Sequence, residues 1–61
     1  MRCNLVYQTQ ELAKIKSVKR VPDFFDIKKA INYFKRIDCL DITKAWIENK
    51  KLNKIMDLKG A

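Results

Sequence analysis

Residues 41–58, DITKAWIENKKLNKIMDL, decide how this chain folds. At 100° per residue, Ile42, Ala45, Trp46, Leu52 and Met56 fall on one arc, which predicts a helix over about 41–58. Asn49 and Asn53 interrupt that stripe, and Ile47, Ile55 and Leu58 lie off it. Just upstream, Asp38-Cys39-Leu40-Asp41 reads as a short connection in which either aspartate can cap the second helix.

Before that connection the clearest boundary is Val21-Pro22-Asp23. Pro22 keeps Val21 out of the α region, and Asp23 is a favourable N-cap. The segment it opens predicts a helix over about 23–37, with Phe24, Ile27, Ala30, Ile31, Phe34 and Ile37 on one arc and Tyr33 at its edge. Lys28, Lys29, Asn32, Lys35 and Arg36 fall on the opposite side. Asp23 and Asp26 in the first turn, with Lys35 and Arg36 in the last, suit the helix dipole. Two helices joined by so short a link predict an all-α fold, a small antiparallel helical hairpin of residues 23–37 and 41–58. Phe24, Ile27, Ile31 and Phe34 would then meet Trp46, Leu52 and Met56.

The hairpin, residues 22–61, would follow a basic N-terminal segment, residues 1–21, within a single small domain. Leu12, Ile15 and Val18 make a narrow stripe on a helix over 9–20, but residues 14–21 suit an extended arm nearly as well. Residues 1–7 read as a short strand or as unstructured chain.

The 61 residues carry fourteen Lys and Arg against seven Asp and Glu, for a net charge of +7. Residues 1–20 contribute +4, residues 21–42 nothing and residues 43–61 the remaining +3. A chain of this length buries only about 60% of its unfolded surface, so it stands to gain stability from something it binds. Lys outnumbers Arg eleven to three, and part of that surplus reflects compositional bias. Cys3 and Cys39 form no CxxC, and without His there is no tetrahedral zinc set, so neither metal nor other cofactor is expected. No early apolar run resembles a signal-peptide core, and none reaches the ~18 residues of a membrane span. These features predict an intracellular protein, cytoplasmic or organellar, with free thiols.

Catalysis is not expected. Ser17 has no evident base, and nothing gives Cys39 the cationic surroundings that thiolate activation needs. The pairs Asp23/Asp26 and Asp38/Asp41 are explained by helix capping. Gly60, the only glycine, cannot form a phosphate-cradling loop.

Phosphate recognition needs several cations that reach one backbone together. Two clusters qualify: Lys14, Lys16, Lys19 and Arg20 in the N-terminal segment, and Lys28, Lys29, Lys35 and Arg36 on the central helix. With a pI near 9.7, they predict a non-catalytic protein that binds RNA or a ribonucleoprotein assembly. Phe24, Phe25, Tyr33, Phe34 and Trp46 sit at core spacing and are better read as core than as stacking residues; Phe25 and Tyr7, off the main stripe, would be the first candidates to stack on a base.

Three alternatives accompany that reading. A helix-turn-helix would read duplex DNA with Lys44, Glu48, Asn49, Lys50 and Lys51, although its turn lacks Gly and no third helix closes its core. A basic amphipathic helix could lie on an anionic membrane, against which stand the acidic residues at both ends of the central helix. A protein-interaction module would dock on a larger protein, or on a second copy of itself, through Ile47, Ile55 and Leu58.

Overall fold

The computed structural model describes residues 2–10 and 16–60, with Lys16 described by its backbone only. Two strands, β1 (Cys3–Gln10) and β2 (Lys16–Phe24), precede one helix, α1 (Ile27–Ile37), and two more strands come after it, β3 (Ile42–Asn49) and β4 (Lys54–Lys59). The sheet order is β2-β1-β3-β4 and every neighbouring pair is antiparallel. The all-α helical hairpin is therefore wrong: a four-stranded sheet with one short helix stands in its place.

The decisive error lies at residues 41–58, which form a β-hairpin. In β3, Ala45 and Ile47 are fully buried while Trp46 and Glu48 project to the other face, the period-2 alternation of a strand. Ile42, Thr43 and Ile47 are β-branched and suit that backbone. The two asparagines that break the helical stripe close the hairpin. The Asn49 side-chain oxygen accepts from the Lys51 and Asn53 backbone N–H groups at 2.9 and 3.0 Å, and the Asn49 N–H donates to the Asn53 carbonyl at 2.9 Å. Such local side-chain bonds are what favour Asn in turns over helix interiors.

The N-terminal segment is corrected too. Thr9, Gln10 and residues 16–20 are strand, not helix, and β2 is paired with β1 along its length instead of projecting as an arm. Leu12 and Ile15 lie outside the described residues. Pro22 sits on an edge strand, where its missing N–H costs no ladder bond. Asp23, at φ 73°, is the extra residue where the register jumps from Leu5–Val21 to Cys3–Phe24, and its N–H donates to the Asn4 side-chain oxygen at 3.1 Å.

Because β2 and β3 both run antiparallel to β1, the connection between them has to pass over β1. The helix α1 makes that passage and covers one face of the sheet. It starts later than Asp23: Asp26 is the N-cap, in extended conformation, with its carboxylate accepting from Lys29 N–H at 2.9 Å. It ends at Ile37, after which the Asp38 N–H bonds the Phe34 carbonyl at 2.8 Å. Ala30 and Phe34 are buried, with Ile27, Ile31 and Ile37 half-buried around them.

The core lies between α1 and the sheet. Leu5, Phe34, Ile42 and Ala45 form one buried cluster and Cys3, Ala30 and Ile47 another, with Phe24 and Leu58 packed against both. Phe24, expected inside the helix, reaches this core from β2 and tilts against Tyr33 at 5.3 Å. Leu5, Ile47 and Val6 are the largest apolar side chains wholly removed from water. Each contributes roughly 1.5–3 kcal/mol, a large share of what holds so small a domain.

Candidate nucleic-acid interface

The sheet divides the described cations between two faces. On the outer side of α1, Lys28, Lys29, Lys35 and Arg36 are all exposed, with Asn32 among them. Their helical positions span an arc of about 120° and a length of about 12 Å. No acidic residue lies between Ile27 and Ile37, and none of these four side chains enters an ion pair among the described residues.

Most described carboxylates are engaged elsewhere. Asp23 binds Lys50 at 2.6 Å and Arg2 at 3.3 Å, Asp57 binds Lys54 at 2.9 Å, and Asp38 binds Lys59 at 2.9 Å. Asp26 caps α1, and exposed Asp41 enters none of these contacts. The Lys50 hydrogen bond, helped by Arg2, holds the Asp23 carboxyl below the usual aspartate value.

The N-terminal cation cluster does not assemble as expected. Lys14 lies outside the described residues, and Lys16 is placed only by its backbone in β2. Neighbouring strand residues point to opposite faces, so Lys19 and Arg20 cannot serve one surface. Lys19 pairs with Tyr7, on the face that carries α1. Arg20 is on the other face, where its Nε and Nη2 donate to the Glu48 carboxylate at 2.7 and 3.2 Å.

Glu48 is 2% exposed and also accepts from the Asn4 side-chain amide at 3.0 Å. Burial pushes its carboxyl up, but the Arg20 and Asn4 hydrogen bonds and the guanidinium charge outweigh this and hold it below the ordinary glutamate value. The hydrogen bond to Glu48, and then the Glu48 charge, raise the Arg20 pKa. Sequence reasoning missed this network, although the alternation Lys44, Trp46, Glu48 against Ala45, Ile47 was the signal for it.

Trp46 departs from its expected core position. Cross-strand pairing sets Arg20, Val6, Trp46 and Asp57 in one row on the face turned away from α1, and Gln8 beside Lys44 in the next. Trp46 is half-buried there and helps line a shallow groove with Gln8, Lys44, Lys54, Asp57 and Lys59. A second recess, past the end of α1, is lined by Tyr7, Thr9, Lys19, Ile37 and Thr43.

The residues read as a protein interface are also redistributed. Ile47 is fully buried, and Leu58 packs on both core clusters. Ile55 alone of the three is exposed, at 38%, near exposed Leu52 and Met56 in the β3–β4 hairpin. The helix-turn-helix alternative falls with its second helix, since Lys44, Glu48 and Asn49 are strand residues and Lys50 and Lys51 lie in a turn.

Burial, and then the Asp26 charge, push the Cys3 thiol up, leaving it an inert part of the core. Among the described residues there is no group of three His, Cys, Asp or Glu that could hold a metal ion, and no helix long and apolar enough to cross a membrane. Compared with family models, curated proteins and solved structures, the chain matches none of them.

Proposed function

We propose that this protein is a non-catalytic binder of RNA, free or within a ribonucleoprotein assembly, and that the outer face of α1 is its phosphate-binding surface. One observation carries the reading: Lys28, Lys29, Lys35 and Arg36 share a face without an interspersed acid, while most described carboxylates are committed elsewhere. A polyanion meets no carboxylate on that helix face and releases counterions as it docks. The N-terminal cluster contributes less than its sequence promises, because Arg20 is committed to Glu48.

The test is retention of the full chain on single-stranded RNA and duplex DNA across a salt series, with a Lys28/Lys29/Lys35/Arg36→Ala variant beside the parent. Alanine is the best helix former, so α1 survives the change. With four phosphates neutralised, affinity for single-stranded RNA should fall about fiftyfold between ~50 and ~200 mM salt, and the variant should lose most of that slope. No RNA retention at ~50 mM salt, or equal slopes in the two proteins, rejects the reading. Tighter retention on duplex DNA moves the ligand class to DNA.

A second reading, docking on another protein, is favoured by the exposed Leu52, Ile55 and Met56 of the β3–β4 hairpin. It predicts binding that is insensitive to salt and lost with Leu52→Ser and Ile55→Ser.

A further inference from the structure

The sheet has a second surface that the helix-face reading leaves unused. We infer that the face turned away from α1 is a stacking site for a base of single-stranded RNA, with the Trp46 ring as platform and Lys44 as the flanking phosphate contact. This goes beyond the helix-face proposal and stands or falls apart from it.

Three observations support a base over other occupants. First, apart from Trp46 the groove is lined by polar and charged residue types: Gln8, Lys44, Lys54, Asp57 and Lys59. A protein partner usually seats on an apolar centre with a polar rim, whereas here a single ring stands in a polar surround. A flat π-face with polar edges and anionic links matches that pattern.

Second, the charge is complementary. Lys44 is exposed and enters no ion pair among the described residues, while the Asp57 carboxylate in the groove is already neutralised by Lys54 at 2.9 Å. Lys44 and Trp46 lie two residues apart on β3, about 7 Å, so a base on the ring leaves its own phosphate within reach of the ammonium.

Third, the platform is held in place. Trp46 is paired across the sheet with Val6, which is fully buried on this same face, and the Arg20–Glu48–Asn4 network closes the next row. The adjacent Gly60, at φ +69°, lies close against the Thr43 carbonyl oxygen, where a Cβ would collide, and so fixes the end of β4 beside the groove.

Trp46 is the only tryptophan, so its fluorescence reports the site directly. The full chain is titrated with an adenylate hexamer, its abasic counterpart and inorganic polyphosphate. The hexamer should quench Trp46 saturably, and the two base-free anions should not. Trp46→Leu, which keeps an apolar cover over Val6, should weaken a labelled hexamer about tenfold by anisotropy, with Trp46→Phe restoring most of the loss. Lys44→Ala, which leaves the ring in place, should weaken it a few-fold.

Equal quenching by the hexamer and its abasic form, or unchanged affinity in Trp46→Leu, overturns the proposal. If Trp46→Leu fails to fold by circular dichroism, the base-dependence of the quench and the Lys44→Ala result decide. The helix variant separates the two readings. A saturating hexamer should quench it to the parent's depth, and loss of the quench with the helix cations would overturn the sheet-face site. If the helix substitutions leave the salt slope unchanged while the base-dependent quench persists, the helix reading fails and this one stands.

Discussion

Glu48 shows how a single residue sets the character of a face. Its carboxylate is taken out of water and stays ionised because Arg20 and Asn4 satisfy it. A carboxyl held lower in the folded state than in the unfolded chain gives stability that is complete above the unfolded value and is lost as pH falls through the folded one. Asp23 is shifted in the same direction, chiefly by the Lys50 hydrogen bond. The urea midpoint should therefore drop as pH is lowered from about 5 towards 3. Glu48→Gln should start about 1 kcal/mol less stable at neutral pH and respond less steeply to acid. Parallel pH profiles for the two proteins would show that Glu48 is not shifted. Ile47 and Ile55 provide a second residue-scale comparison, since spacing alone treated them alike. Ile47→Ala should cost about 2–5 kcal/mol and Ile55→Ala less than about 1, measured by chemical denaturation.

At the scale of elements, the β3–β4 hairpin carries a local conflict. Leu52 lies in the turn at φ 69° and is 61% exposed, so a bulky side chain occupies a left-handed backbone without being buried in return. Leu52→Asn should raise stability by about 0.5–1 kcal/mol, because Asn tolerates that region, and the shift in urea midpoint measures it. A lower midpoint would mean that the exposed leucine contributes packing the turn needs. The helix α1 was legible in the sequence from its stripe and its opposing cations, with the cap misplaced by three residues from Asp26 to Asp23. That misplacement came from reading Pro22 as a helix boundary when it sits on the edge strand before a bulge. The hairpin was not legible by the same method. Ile42, Ala45, Trp46 and Met56 mimic a helical stripe when counted across the turn, and only the Asn49/Asn53 interruption and the alternation through 44–48 tell against it. Both local signals were present, but tertiary pairing with β1 was needed to give them weight.

The whole molecule sorts its charge in a way that composition concealed. The net charge of +7 is real, but Arg2, Arg20, Lys50, Lys54 and Lys59 are tied to carboxylates. The helix face supplies a group of cations outside those pairs. Arg20→Ala should accordingly lower stability while leaving the salt slope of RNA binding intact, the reverse of the helix-face substitutions. A reduced slope in Arg20→Ala at unchanged stability would return β2 to the binding surface. The order β2-β1-β3-β4 has a temporal consequence as well. The strand β1 finds one neighbour almost at once, in β2, but its other neighbour is β3, with Cys3 facing Asn49. During synthesis β1 must wait for α1 and then β3, keeping the inner face of Cys3, Leu5 and Tyr7 short of its cover. The residues of β1 are thus among the last to complete their surroundings, and a chain that lacked α1 and β3 would be a two-stranded hairpin with a bare apolar side.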